Sequence, residues 1–237
     1  MRRIHVWATR QEIEPHRLKG AVAVVMDVCL ATTTLVTAFE RGARRVFPVD
    51  SVLEALERSA GLPGSLKGGE QDGYDIPGFD CGPLPTEYTR DRVRDRDLVF
   101  VTTNGTRAIR AAEAAARLFI ACFRNAPATA QFLNTLAPED VYLICAGSRG
   151  HLSLEDFVCA GLLTELLDDG HARLNDAAVM ARALAAQRTA AEWLAQSRVG
   201  RWLASRGLEE VVAFTGEVGA STSVVEVRDG LLKEADA

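Results

Sequence analysis

The sequence predicts an α/β fold around a largely parallel but mixed sheet. Short runs rich in Val and Ile alternate with amphipathic or Ala-rich stretches, small polar loops join several runs to helix starts, and the tail turns to strand-like runs without helices between them. Residues 21–26 form the first such run; it stops at Asp27 and leads into an amphipathic stretch over 30–41 that Gly42 terminates. Residues 45–49 read as the next strand, and Ser51 with Glu54 as a capping box opening a helix through Glu57. From 61 to 97 the composition shifts to Gly, Pro and charge, a length of loop that in a compact domain is functional or disordered. Regular structure resumes with a strand over 98–102, an Ala-rich helix over 107–116, strands over 118–122 and 141–146, and a helix around 128–136 between those two. Ser153 and Asp156 read as a second capping box, starting a helix to about Leu167. Residues 176–206 are Ala-rich and helical, with breaks expected at Gly200 and Gly207. The tail runs 211–214 and 223–227 read as strands added antiparallel at the sheet edge.

The 237 residues are read as a single domain, large enough to bury roughly 70–75% of the unfolded chain's surface without a metal or disulfide staple. With 27 basic and 32 acidic residues the formal charge is −5, which offers no electrostatic footprint for nucleic acid or an anionic membrane. No apolar run approaches the ~20 residues of a bilayer span, and polar residues interrupt the basic start before a signal-peptide core can form, so a cytoplasmic protein is expected. The five cysteines, 29, 81, 122, 145 and 159, form no C-x-x-C pair and are expected as buried thiols. Arg149 follows Cys145 too closely for a C-x5-R phosphatase cradle. His5, His16, His151 and His171 are scattered without metal-ligand spacing.

Ligands of open α/β sheets gather at the carboxyl ends of the strands. Three loops there combine small polar residues with a helix start: 27–34, with Asp27 and Thr32, Thr33 and Thr34; 102–106, with Thr103, Asn104, Gly105 and Thr106; and 147–156, with Ser148. Gly105 allows a tight turn on which backbone N–H groups and hydroxyls could converge on phosphate or sulfonate oxygens; plain helix capping by Thr or Asn is the alternative. Asp27, Glu70 after Gly69, Glu155 and Asp156 are hard oxygen donors suited to Mg²⁺. The alternatives are a strand-end turn for Asp27, a solvated loop charge for Glu70 and a favourable helix-dipole contact for Glu155 and Asp156. A metal beside an anion site suggests phosphoryl chemistry. There is no G-x-x-x-x-G-K-S/T loop, and Asp27-Val28-Cys29 lacks the second Asp of a D-x-D motif.

Several stretches, in order over about residues 21–165, resemble one family, the 2-phosphosulfolactate phosphatases (ComB family). Asp27-Val28 with Ala31-Thr32-Thr33-Thr34 resembles its D-V-L-R-A-S/T-T segment; Gly68-Gly69-Glu70 and Gly78-Phe79-Asp80 resemble G-G-E-R and G-F-D. Residues 102–106 match T-T-N-G-T, and Cys145-Ala146-Gly147, Ser153-Leu154-Glu155-Asp156 and Cys159-Ala160-Gly161 match C-A-G, S-L-E-D and C-A-G. The resemblance implies a three-layer α/β/α fold and a Mg²⁺-dependent hydrolase releasing phosphate from 2-phospho-3-sulfolactate, a step towards coenzyme M in methanogens. A homodimer is common among such enzymes. On this reading Asp27, Glu70 and Asp156 lie near the metal, with Asp27 as nucleophile or water-orienting base. The substrate, a small phosphorylated acid, is met by Thr32, Thr33, Gly69, Thr103, Asn104, Gly105, Thr106 and Ser148.

The chain departs from the pattern at Leu30 and Gln71, where the family commonly carries Arg, and at Gly82-Pro83-Leu84-Pro85, where it has G-N-S-P. Leu cannot replace a bidentate cationic clamp. If both arginines bind substrate, their loss costs several kcal/mol at roughly 1.5–3 per charged hydrogen bond. Arg107 and Arg149 lie near the loops as replacements, with a solvent-facing role open to each. The alternative reading is a catalytically silent member that binds an anionic metabolite or serves as a structural partner.

Overall fold

The five strands expected between residues 21 and 146 all form in the computed structural model, which describes residues 1–236. The chain opens with β1 (Arg3–Trp7), which the sequence reading left unassigned, and a short α1 (Pro15–Leu18). There follow β2 (Val22–Met26), α2 (Ala31–Glu40), β3 (Arg45–Val49) and α3 (Val52–Ala60). Within the expected long loop lie β4 (Leu66–Gly69) and α4 (Arg90–Val93). Then come β5 (Asp97–Val101), α5 (Gly105–Ala111), β6 (Arg117–Ala121), α6 (Ala126–Leu136), β7 (Asp140–Cys145), α7 (Leu154–Leu167) and β8 (Arg173–Leu174). The C-terminal part holds α8 (Asp176–Ala185), α9 (Ala190–Gln196), α10 (Arg198–Ala204), α11 (Glu209–Thr215), β9 (Val225–Arg228) and β10 (Leu231–Glu234).

The strand order is β4-β5-β3-β10-β9-β6-β2-β7-β1-β8. Two parallel blocks, β4-β5-β3 and β6-β2-β7-β1-β8, are joined by the antiparallel β9/β10 hairpin, which pairs β6 on one side and β3 on the other. The expected antiparallel addition therefore lies in the middle of the sheet, not at its edge. The reason is apolar burial: Val225 and Leu232 are fully buried, and an interior position covers them on both faces. The Asp229-Gly230 turn, with φ of 53° and 72°, is a strong hairpin signal, and it marks β10, a strand the sequence reading did not assign.

Residues 211–214, expected as a strand, belong to α11. Its first turn carries Glu209 and Glu210, and Val211 and Thr215 are buried at the i, i+4 spacing of a helix face. Gly200 likewise is no break. It lies inside α10, where a Cβ would meet the Leu194 carbonyl oxygen at 1.8 Å; the break falls at Ser197, whose Oγ accepts from Gly200 N at 2.9 Å. Ser51 Oγ does cap α3, accepting from Glu54 N at 3.1 Å, although Glu54 reaches back to Asp50 N.

Strand alternation sorts the core into layers. On β2, Ala23 and Val25 pack with α2 and α5, while Val22, Val24 and Met26 pack with α6, α7, α8 and α9 on the opposite face. On the smaller block, Phe47, Val49, Val99 and Val101 meet Ala55 of α3. The result is an α/β fold with helices on both faces of the sheet.

Candidate active site

At the carboxyl ends of the parallel strands the loops after β2, β4, β5 and β7 converge, and the segment around α10 closes over them. Together they enclose a cavity of about 370 Å³. Four strands separate β2 from β5, so in a flat sheet the two would stand about 24 Å apart. Yet a Cβ on Gly105, just past β5, would lie 2.8 Å from Asp27 Oδ2 and 2.6 Å from the Ala31 Cβ. The sheet must therefore coil around α2 and α5, and Gly105 permits the approach because it has no side chain.

Asp27, Glu70, Thr103, Asn104 and Ser148, all expected at the site, line this one cavity. The other expected residues stand behind it and hold the loops in shape. Thr32 Oγ1 accepts from Asp27 N at 3.1 Å and Thr33 Oγ1 donates to the Val28 carbonyl at 2.8 Å; both threonines are fully buried. Thr106 and Thr102 cap one another, Thr106 N donating to Thr102 Oγ1 at 3.1 Å and Thr106 Oγ1 accepting from Thr102 N at 3.2 Å. Gly69 lets β4 lie against β5, where a Cβ would meet the Val101 carbonyl oxygen at 1.9 Å.

The acidic residues divide in the same way. Asp156 is buried, and its two oxygens accept from Val28 N at 2.8 Å and Gly147 N at 3.1 Å, tying the first loop to the third. For this reason the expected Ser153/Asp156 capping box does not form: the carboxylate is spent on those two loops, and no side-chain cap bond is made at Ser153. Glu70 accepts from Thr103 N at 2.6 Å, Gly73 N at 2.6 Å and Thr103 Oγ1 at 3.0 Å, clasping the loops after β4 and β5. Asp27 and Glu70 line the cavity, and Asp156 stands behind it. Burial, then the charges of Glu70 and Glu155, push the Asp27 carboxyl up to about 7, against an opposing hydrogen bond from the Gly105 N–H. Asp156 is raised by burial and by the charges of Asp27 and Glu155; Glu155 is raised by burial and held back by N–H and hydroxyl donors and by Arg198.

No group of three or more His, Cys, Asp or Glu side chains is arranged to hold a metal ion among the described residues. The expected three-carboxylate set of Asp27, Glu70 and Asp156 is thus reduced by the bonds that Glu70 and Asp156 already make. What remains fits Mg²⁺ through Asp27: crowded buried carboxylates favour a cation, and Mg²⁺ needs only one or two of them beside waters and a phosphate oxygen.

The cationic side of the cavity was not foreseen in full. Arg149 lines it, as do Arg198 and Arg206, which α10 and the residues just after it deliver together with Trp202 and Leu208. Arg198 donates to Ser148 Oγ. Arg107 instead faces a neighbouring groove with Asp50, Glu70 and Gln71. Cys81, Cys122, Cys145 and Cys159 are buried and Cys29 is half-buried, and all five are free thiols.

A carboxylate floor, hydroxyl-bearing loops and an arginine rim at the carboxyl ends of a parallel sheet make a site of the kind α/β enzymes use for small molecules. The family model described as 2-phosphosulpholactate phosphatase matches residues 7–230, and the chain belongs to that family, a family of phosphoric monoester hydrolases. It is 41% identical over 219 residues to a probable 2-phosphosulfolactate phosphatase of Symbiobacterium thermophilum, covering 90% of this chain and 94% of the relative. It is 32% identical over 241 residues to one of Clostridium perfringens, covering 99% and 97%. A third, of Carboxydothermus hydrogenoformans, is 35% identical over 216 residues, with 90% of each chain covered. No helix among the described residues is long and apolar enough to cross a membrane.

Proposed function

We propose that the chain hydrolyses 2-phospho-3-sulfolactate to 3-sulfolactate and phosphate with Mg²⁺ bound at Asp27. The observation that carries this reading is Asp27 itself, a buried carboxylate on the cavity floor, set against the Gly105 N–H and pushed up to about 7. Family membership and the relatives' names support the substrate. When bound, Mg²⁺ would neutralise charge on the phosphoryl oxygens.

The chain's own residues do the rest. Asp27 orients a water and takes its proton as the new bond to phosphorus forms, and the bond to the ester oxygen breaks with that proton passed on to the departing alkoxide. Thr103 and Asn104 border the phosphoryl group, and Glu70 and Asp156 keep their loops at fixed separation. Leu30 lines the cavity without charge and Gln71 faces the neighbouring groove, so neither supplies the cation expected at its position.

The test is phosphate release from 2-phospho-3-sulfolactate with and without Mg²⁺, beside a panel of other phosphomonoesters. Release that needs Mg²⁺ and prefers this ester supports the proposal; release from none of them sinks it. Mg²⁺ should also raise the melting temperature of the wild type at pH 8 and leave Asp27→Asn unmoved, a readout independent of turnover.

A further inference from the structure

We propose that Arg149, Arg198 and Arg206 form the grip for an anionic group that stays on the product, its carboxylate or its sulfonate, and so determine specificity. This rests on the reading above. The cavity that Asp27 faces is also lined by Glu70, Asp72 and Asp75, so an ester carrying phosphate, carboxylate and sulfonate enters a field of like charge. Such an approach is repulsive unless cations stand at the rim. Positions 30 and 71 carry Leu and Gln, so the cations come from elsewhere on the fold.

These three arginines are the guanidiniums on that lining, and none has a carboxylate partner within salt-bridge reach among the described residues. Arg198 donates to Ser148 Oγ, and Arg206 lies over the Trp202 ring at 3.9 Å, a stacked pose that leaves its edge donors free. Arg149 occupies the first central position of a tight turn closed by Ser148 N to the His151 carbonyl at 2.8 Å and His151 N to the Ser148 carbonyl at 3.0 Å. Its φ is 53° and that of Gly150 is 80°, positions where Asn-Gly is the favoured pair. An Arg at this position runs against backbone preference, and the turn sets its side chain on the cavity lining. Three planar donors around one cavity suit a second oxyanion, carboxylate or sulfonate, held while the phosphoryl group reacts.

The experiment compares Arg149→Ala, Arg198→Ala and Arg206→Ala, with the Lys variants alongside, on four esters. These are 2-phospho-3-sulfolactate, 2-phospholactate with no sulfonate, 2-sulfoethyl phosphate with no carboxylate, and ethyl phosphate with neither. Each Ala variant should lose about 10-fold or more in kcat/KM on the first ester, mainly through KM, and stay within about 2-fold on ethyl phosphate. A loss confined to sulfonated esters assigns the grip to sulfonate, and one confined to carboxylated esters assigns it to carboxylate; either supports the proposal. Equal losses on all four esters, or none on any, overturn it. Should the wild type release phosphate from no ester, the catalytic reading fails alone. Calorimetric binding of 3-sulfolactate, weakened in Arg198→Ala and Arg206→Ala or unchanged, then decides for or against the grip.

Discussion

The two ends of the sheet hold the same residue types in opposite states. At the amino ends, Arg3, Arg45, Asp97, Arg117 and Asp140 are the first residues of β1, β3, β5, β6 and β7, and every one of them is paired. Arg44 and Arg45 both reach Asp97 at 2.7–3.0 Å and hold its carboxyl well below the usual range. Arg3 lowers the carboxyl of Asp140, and at Glu226 the guanidiniums of Arg117 and Arg228 overcome the upward push of burial. At the carboxyl ends, Asp27, Glu155 and Asp156 are buried close together, and all three are pushed up. One end has its charges neutralised by neighbours on the next strand; the other has them crowded, as a site that binds a cation or moves a proton requires.

The largest effect should come from breaking this contrast at Asp27. Asp27→Asn is expected to lower kcat by about 10³-fold while the chain stays folded, measured as phosphate release beside circular dichroism. The same variant sharpens the comparison through pH. In metal-free protein the folded-state carboxyl titrates at about 7 against an ordinary 3.8, so between those values the folded state holds a proton that the unfolded state has lost. Stability contributed by this group therefore falls as pH rises from about 4 to about 7. Asp27→Asn should flatten that slope and melt higher than the wild type at pH 8, whereas a wild-type melting temperature that climbs with pH across this window would contradict the assignment.

Next in size is Asp156→Ala. It leaves the buried N–H groups of Val28 and Gly147 without their acceptor, at a cost of about 1–3 kcal/mol each. A urea midpoint unchanged by this substitution would mean that the clasp between the two loops does not hold them. At the other end, Asp97→Asn should cost only about 1 kcal/mol, because the two guanidiniums that face it are substantially exposed to solvent. Its contribution has the opposite pH sign: a depressed carboxyl stabilises above its unfolded value and loses that stabilisation as pH falls below about 4. Activity should not change.

Between residues 21 and 167, outside the 61–97 loop that hides β4 and α4, the strands were legible because each is a short apolar run that leads into a helix start or a polar loop. The tail was not. Residues 211–214 have β-branched residues that favour a strand, and only packing on one face makes them helical. The hairpin's place in mid-sheet depends on a gap between two parallel blocks that no local pattern reveals. At the site, the loops were found but the division of labour within them was not. Thr32 and Asp27 are five residues apart and look alike as oxygen donors; which faces the cavity is decided by the turn between them. Arg198 and Arg206 sit in a stretch that reads as an ordinary Ala-rich helix, and only the close packing of α10 on α9 at Gly200 carries them to the cavity.

The smallest effect is expected at Arg107, and it fixes the boundary of the arginine rim. Arg107 is exposed on α5 and faces the groove beside Asp50, Ser51 and Gln71, while the chain's other rim arginines face the cavity with Asp27. A charge outside the cavity, open to water and to salt, contributes through a screened interaction only. Arg107→Ala should therefore stay within about 2-fold of wild-type kcat/KM and within about 0.5 kcal/mol in stability. A loss comparable with that of Arg198→Ala would place substrate across Glu70 into the neighbouring groove. The position of Gln71 would then become part of the binding surface, and the contrast between the sheet's two ends would have to include the loop after β4 as a second cationic approach.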